Sequence, residues 1–249
     1  MPQIYIYTLA SVIIVSLLSF LGAFVLTLKP EKLKKITIFL VSLSAGTLLG
    51  GAFLHLIPEM VEKNKNDGSI WIYLLGGIVL FFVLEKIVCW RHCHIPTSEN
   101  HPHHLGIMNL IGDGFHNFLD GVIIAGAYMV NIELGVATTI AVIFHEIPQE
   151  IGDFGVLIHS GFKYAKALFY NFLSALTAVV GAIITLLIGP QIENFTSYIL
   201  PIAAGGFIYI ATADLIPELK KDVGPAKSLL QLITILIGIG IMFALKFFG

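Results

Sequence analysis

Apolar segments long enough to cross a bilayer follow one another along almost the whole chain, and no other feature constrains its fold as tightly. A helix needs about 20 mostly apolar residues to cross the hydrocarbon core. Eight stretches meet that need: about 4–28, 36–60, 70–90, 106–130, 133–159, 164–189, 196–219 and 228–248. The breaks between them are short and carry turn chemistry, as in KPEKLKK, EKNKNDG, GPQIEN and KKDVGPAK. No soluble domain fits between the spans. Only 12% of residues are charged and 57% are hydrophobic, where a soluble domain carries about 25% charged residues. The expected fold is one all-α integral membrane domain over residues 1–249, with eight transmembrane helices. The stretch from Ile4 to Leu28 has no basic segment before it, so it reads as a span and not as a cleaved signal peptide.

Lysine and arginine orient such a bundle, because they collect in cytosolic loops. With the N-terminus outside, the cytosolic loops are 1–2, 3–4, 5–6 and 7–8. They hold Lys29, Lys32, Lys34, Lys35, Lys86, Arg91, Lys163, Lys166, Lys220, Lys221 and Lys227, which is 11 of the 14 basic residues. Both termini are therefore expected outside. Cys89 and Cys93 are the two cysteines. They are too few for a disulfide framework, and on the cytosolic side they are expected as reduced thiols. The net charge of −2 says nothing about partners, and no nucleic-acid partner is expected.

The chain also repeats itself. Residues 45–60 (AGTLLGGAFLHLIPEM) match residues 204–219 (AGGFIYIATADLIPEL) at seven of 16 positions, including the run Leu-Ile-Pro-Glu. The first segment lies in span 2 and the second in span 7, which cross in opposite directions. That predicts a 3+2+3 arrangement, with spans 1–3 and 6–8 as an inverted repeat and spans 4 and 5 as a central pair. Such repeats mark secondary transporters, whose sites lie near the midplane at the repeat interface.

The central pair holds the chemistry. Span 4 contains GDGFHNFLDG and span 5 contains FHEIPQEIGD. On a helical wheel with His116 at zero, Asp120, Asp113 and Asn117 fall at about 40°, 60° and 100°. With His145 at zero, Gln149, Asp153, Glu146 and Glu150 fall at about 40°, 80°, 100° and 140°. Each helix therefore gathers its polar groups on one face. A charge at mid-membrane costs roughly 2.5–3.5 kcal/mol on the mildest scale, so the two faces must turn toward each other or toward water. Salt bridges are excluded, because neither span contains Lys or Arg. A proton relay could use both imidazoles and carboxylates. A divalent cation uses all the groups at once, and mixed nitrogen and oxygen donors suit Zn²⁺, Fe²⁺ and their neighbours better than Mg²⁺ or Ca²⁺. His116 with Asp120, and His145 with Gln149, have the i, i+4 spacing that lets one helix chelate an ion. Asn117 and Glu146 lie further round each helix, which points to a second, adjacent position bridged by Asp120. Pro148 removes the helical partner of the Phe144 carbonyl, a group that an ion could use.

These motifs resemble the ZIP (Zrt-, Irt-like protein) family of divalent-metal transporters. HNFLDG in span 4 and HEIPQEIGD in span 5 look like that family's signature, and HLIPE and DLIPE match its Pro-Glu motifs in spans 2 and 7. The resemblance covers essentially the whole chain. It implies uptake of divalent metal toward the cytosol, zinc first and also Fe²⁺, Mn²⁺ or Cd²⁺, by alternating access through a site that takes one or two ions. It also implies a homodimer in a plasma or bacterial inner membrane. Matched residue by residue, His116, Asp120 and His145 would be primary ligands, with Asn117 and Glu146 at a secondary position. Gln149 stands where the family usually has His or Glu, and span 6 lacks the glutamate that some members contribute.

Along the path, His55 and Glu59 are expected near the entrance. Asp113, Glu150, Asp153, Asp214 and Glu218 are expected on the way out. The 91–104 loop carries His92, His94, His101, His103 and His104, a tract of the kind that binds metal. Two other functions compete. HEIPQ is one residue from the H-E-x-x-H of an intramembrane zinc protease, but Gln149 replaces the second histidine and Pro148 interrupts the motif. A proton channel or proton-coupled carrier is the other: a relay needs no amide pair such as Asn117 and Gln149, and an organic substrate needs an apolar pocket lining.

Overall fold

In the computed structural model the described residues are 2–22, 30–64, 67–90, 102–221 and 224–247. Among them the chain is helical, with no strand. Each apolar stretch is helical over most of its described part, with a break at Leu176 in the sixth. Helix α1 is Pro2–Leu17, followed by a 3₁₀ turn at Leu18–Phe20. Helix α2 is Pro30–Gly50, which continues through a π-helical turn, Gly51–Leu56, into α3, Ile57–Lys63. Then come α4 (Ser69–Trp90), α5 (Pro102–Val130), α6 (Ile132–His159), α7 (Tyr164–Ala175) and α8 (Thr177–Ile188). Helix α9 is Phe195–Tyr209. It passes through a second π-helical turn, Ile210–Leu215, into α10, Ile216–Leu219, and the last helix is α11, Pro225–Leu245.

Local chemistry fixes these boundaries. Proline opens α1, α2, α5 and α11, where its missing N–H would have no helical partner and its fixed φ suits the first turn. Asn131 caps α6 by accepting a hydrogen bond from the Leu134 amide at 2.7 Å. Gly161, at φ 84°, makes the turn between α6 and α7, a conformation open to glycine without a Cβ penalty.

Among the described residues, six helices are long and apolar enough to cross a membrane: Gln3–Phe20, Lys35–Lys63, Ser69–Lys86, Tyr164–Gln191, Phe195–Leu219 and Pro225–Leu245. The chain is thus a multi-pass membrane protein. Helices α5 and α6 fall outside that set, because they carry Asp113, His116, Asn117 and Asp120, and Glu133, His145, Glu146, Gln149, Glu150 and Asp153. Their polar groups are the buried ones: Asn117, Asp120, Glu146 and Glu150 are wholly enclosed. Large apolar side chains instead cover the outside of α1, α4 and α11, with Ile6, Ile72 and Leu236 all more than half exposed. That is the inverse of a soluble domain and fits a lipid surround.

The two segments aligned in sequence share one local form. Each is a six-residue π-helical turn that leads into a short α-helix with proline at its second position, Pro58 or Pro217. Their packing is exchanged in the same way. Helix α2 packs on α11 and α9 packs on α4. A methyl group added at Gly46 would stand 2.2 Å from the Ile235 carbonyl oxygen, and one at the aligned Gly205 would stand 2.2 Å from that of Leu74. Only glycine lets both helix pairs approach so closely. The apolar core runs from Val12 and Val15 through Leu56, Met60, Ile124, Tyr128, Ala137 and Ala141 to Leu200 and Phe207. It fills one end of the bundle.

Candidate metal centre

Helices α5 and α6 pack face to face and bring four ligand-type side chains together. One oxygen or nitrogen from each of His116, Asp120, His145 and Glu146 lies within 4.8 Å of all the others. The two Nε2 atoms are 3.2 Å apart. His145 Nε2 is 3.2 Å from Asp120 Oδ2 and 3.5 Å from Glu146 Oε1. His116 Nε2 is 3.8 Å and 3.5 Å from the same two oxygens. Four ligands held at about 2.0–2.2 Å from one ion in a tetrahedral shell stand about 3.3–3.6 Å apart. The quartet therefore has nearly the size that one transition-metal ion requires.

Its hydrogen bonding points the same way. Both oxygens of Asp120 and both of Glu146 are buried without a hydrogen-bond partner, which is costly for a carboxylate unless a cation or proton joins it. His145 Nδ1 lies 3.2 Å from the Ala141 carbonyl oxygen. That acceptor keeps the proton on Nδ1 and leaves the Nε2 lone pair facing the quartet, the usual arrangement behind a metal-ligating imidazole. Two neutral imidazoles and two carboxylates carry a formal charge of −2, which one divalent ion cancels inside the membrane.

The two carboxamides expected as ligands lie outside the quartet. Asn117 Nδ2 donates to Asp113 Oδ1 at 2.9 Å, and Gln149 Nε2 donates to the same oxygen at 3.3 Å. Glu146, expected one position further on, instead joins both histidines. The Phe144 carbonyl freed by Pro148 is not open to an ion either, because Ser44 Oγ donates to it. Ser44 could have been found as a small polar residue in an apolar span, but its partner 100 positions away could not.

A cavity of about 440 Å³ reaches the quartet at His116. His116 lines it, with Asn109, Asp113, Gln149, Asp153, Tyr209, Asp214 and Glu85. Tyr209 donates to Glu85 at its side; neither residue stood out in the sequence. Of the quartet, His116 alone lines the cavity, and its side chain is 19% exposed where those of Asp120, His145 and Glu146 are at most 1% exposed. Glu150 faces away, with Asn171 donating to its Oε2 at 2.5 Å. Glu218 is exposed and paired with Lys221 at 2.5 Å.

At the opposite end His55 Nε2 lies 2.8 Å from the Met242 carbonyl oxygen, and Glu59 Oε1 accepts from Asn131 at 3.5 Å. Neither residue lines the cavity. His92, His94 and His101 lie outside the described residues, and His103 and His104 are described by backbone alone, in the first turn of α5.

Comparison with known proteins places this site in a family context. The family model described as ZIP Zinc transporter matches residues 3–105 and 98–246. The chain is 31% identical to Zinc transporter ZIP13 of Danio rerio, over 85% of this chain and 75% of that protein. It is 31% identical to Zinc transporter zipt-7.1 of Caenorhabditis briggsae, over 82% and 69%. Against Zinc transporter SLC39A7 of Rattus norvegicus it is 26% identical, over 96% and 71%.

Proposed function

This chain belongs to the ZIP zinc transporter family, and from that premise we propose that it carries divalent metal ions across a membrane through the His116–Asp120–His145–Glu146 quartet. One observation carries the reading: a metal-sized ligand set with four unpartnered carboxylate oxygens, open to a cavity from one side. Zinc is the first cargo, because two imidazoles and two carboxylates in a near-tetrahedral group suit it. Fe²⁺, Mn²⁺ and Cd²⁺ are the alternatives to test. The relatives are named as transporters, and no catalytic role is assigned to the chain.

The architecture we propose is eight spans in a 3+2+3 arrangement, with spans 1–3 and 6–8 as an inverted repeat and both termini outside. The exchanged pairing of α2 with α11 and α9 with α4 supports the repeat. In that orientation the cavity faces the cytosol, and the ion leaves past Asp113, Asp153 and Asp214. The sealed end, with His55 and Glu59, is where the ion enters when the bundle reopens. Helix α5 packs mainly on α8 and α6, and α1 packs on α8 and α6. This grouping supports a moving unit of α1 and α5–α8 against the rest. Asn117 and Gln149 would reach an ion only in another state, as ligands of the adjacent position. A homodimer in a plasma or bacterial inner membrane, and a His-rich 91–104 loop that receives or senses released ion, complete the proposal.

The test is uptake of Zn²⁺, Cd²⁺, Fe²⁺ and Mn²⁺ into proteoliposomes. His145→Ala and Asp120→Ala are each expected to lower uptake to the rate of protein-free vesicles. Uptake that survives both substitutions sinks the quartet as the transport site. For the loop, deletion of residues 101–104 that changes neither the rate nor its shut-off at high metal ends that role.

A further inference from the structure

A second group of buried acids lies beside the cavity and is left unexplained by the quartet. Asp113, Glu150 and Asp153 each have one oxygen held by a carboxamide. Asn117 and Gln149 donate to Asp113 Oδ1, Asn109 donates to Asp153 Oδ1 at 2.9 Å, and Asn171 donates to Glu150 Oε2. The other oxygens, Asp113 Oδ2, Asp153 Oδ2 and Glu150 Oε1, are buried with no partner. Asp113 is 5% exposed and Glu150 is fully enclosed. Glu150 feels the charges of both Asp113 and Asp153, and the charge of Asp113 reaches Asp153.

No lysine or arginine occurs between Arg91 and Lys163. Each carboxylate is held in place by an amide at one oxygen, and its other oxygen is buried without a hydrogen-bond partner. Asn109, Asp113, Gln149 and Asp153 all line the cavity, so the group stands at the cavity wall. Three fixed carboxylates without a counter-charge would be strongly unfavourable in a membrane interior.

We propose that Asp113 Oδ2 and Asp153 Oδ2 form an oxygen-only position for a divalent cation on the cavity wall, separate from the quartet, with Glu150 supplying the third negative charge behind it. The donor set differs in kind from that of the quartet. It contains no imidazole, so it holds ions by charge and by oxygen, as sites for hard cations do. The ion keeps waters on its cavity side. Occupancy of this position does not depend on transport. Its use as a waiting position for an ion leaving the quartet rests on the transport function proposed for the chain.

Cadmium-113 NMR of the full chain, labelled with ¹⁵N and purified in detergent, separates the two. Cadmium in the quartet couples to imidazole nitrogen. Cadmium held by Asp113 and Asp153 gives a resonance with no nitrogen coupling. Asp153→Asn is expected to remove the uncoupled resonance and retain the coupled one, while His145→Ala does the reverse. The proposal is overturned if the wild type shows no uncoupled resonance, in which case the acids hold protons instead. It is also overturned if that resonance survives Asp153→Asn. Should Asp153→Asn abolish both signals, the milder Asp153→Glu decides: it must shift the uncoupled resonance alone, and any other result counts against the position. Absence of the coupled resonance from the wild type would instead count against the quartet.

Discussion

The Leu-Ile-Pro-Glu runs at 56–59 and 215–218 share a sequence, a π-helical turn and a following proline, yet their surroundings differ. At the first, Leu56 and Met60 are buried in the apolar core and His55 is tied to the Met242 carbonyl. At the second, Thr212, Asp214 and Glu218 are exposed, and Asp214 lines the cavity. Helix α9 packs on the first turn and α2 packs on the second, so the framework is matched while the filling around it is not. Local sequence dictated the shape of each turn, and long-range packing dictated whether it was sealed or open.

The largest effects should strike both halves alike. Gly46→Ala and Gly205→Ala each push a methyl group to 2.2 Å from a neighbouring carbonyl oxygen, and overpacking of this kind costs about 1–3 kcal/mol or more. Thermal unfolding in detergent should show both variants destabilised to a similar degree. A loss confined to one of them would break the matched framework. Next comes the sealed-versus-open contrast. With Cys89 and Cys93 replaced by serine, a cysteine at Asp214 should react with a water-soluble thiol reagent at least about tenfold faster than one at His55, since solvent reaches the first through the cavity. Equal rates would remove the asymmetry.

Smaller effects sharpen the picture around α6. Ser44→Ala leaves the partly buried Phe144 carbonyl without its donor, and an unsatisfied buried acceptor costs about 1–3 kcal/mol. Its stability should fall by that amount, with slower metal uptake as the Pro148 kink relaxes. Unchanged stability would mean that another group takes over the carbonyl. Asn131→Ala removes the α6 cap, worth about 1 kcal/mol, and frees Glu59 at the sealed end. Its thermal shift should be smaller than that of Ser44→Ala, and a larger one would make the cap the stronger constraint on α6.

Much of this was legible from residue patterns. The i, i+4 spacing of His116 with Asp120 and the polar arc of α6 put ligand-type side chains on the faces where α5 and α6 meet, because helical periodicity fixes which residues share a face. Periodicity does not fix how far each face is rotated toward its neighbour. That rotation decided that Glu146 joined the histidines while Asn117 and Gln149 turned to Asp113. Partners distant in the chain were equally hidden: nothing in SLSAGT names Phe144, and nothing in YNFLSA names Glu150. The mixed polar content of α5 and α6 also has a consequence for hydropathy. The two helices that matter most to the chemistry are the two whose composition least resembles a membrane span.

The π-helical turns carry one residue more than an α-helix of the same rise needs. Each acts as a spare link in an otherwise regular chain. Removing one residue between Gly51 and Leu56, or between Ile210 and Leu215, would let the backbone wind as α throughout. Keeping that residue and winding the segment as α instead would rotate everything on one side by about 100° relative to the other. His55 or Asp214 would then face a different neighbour, although no residue of the quartet had been touched. Each turn thus works as a built-in phase setting, which fixes the side of the bundle that the Pro-Glu end of its helix addresses.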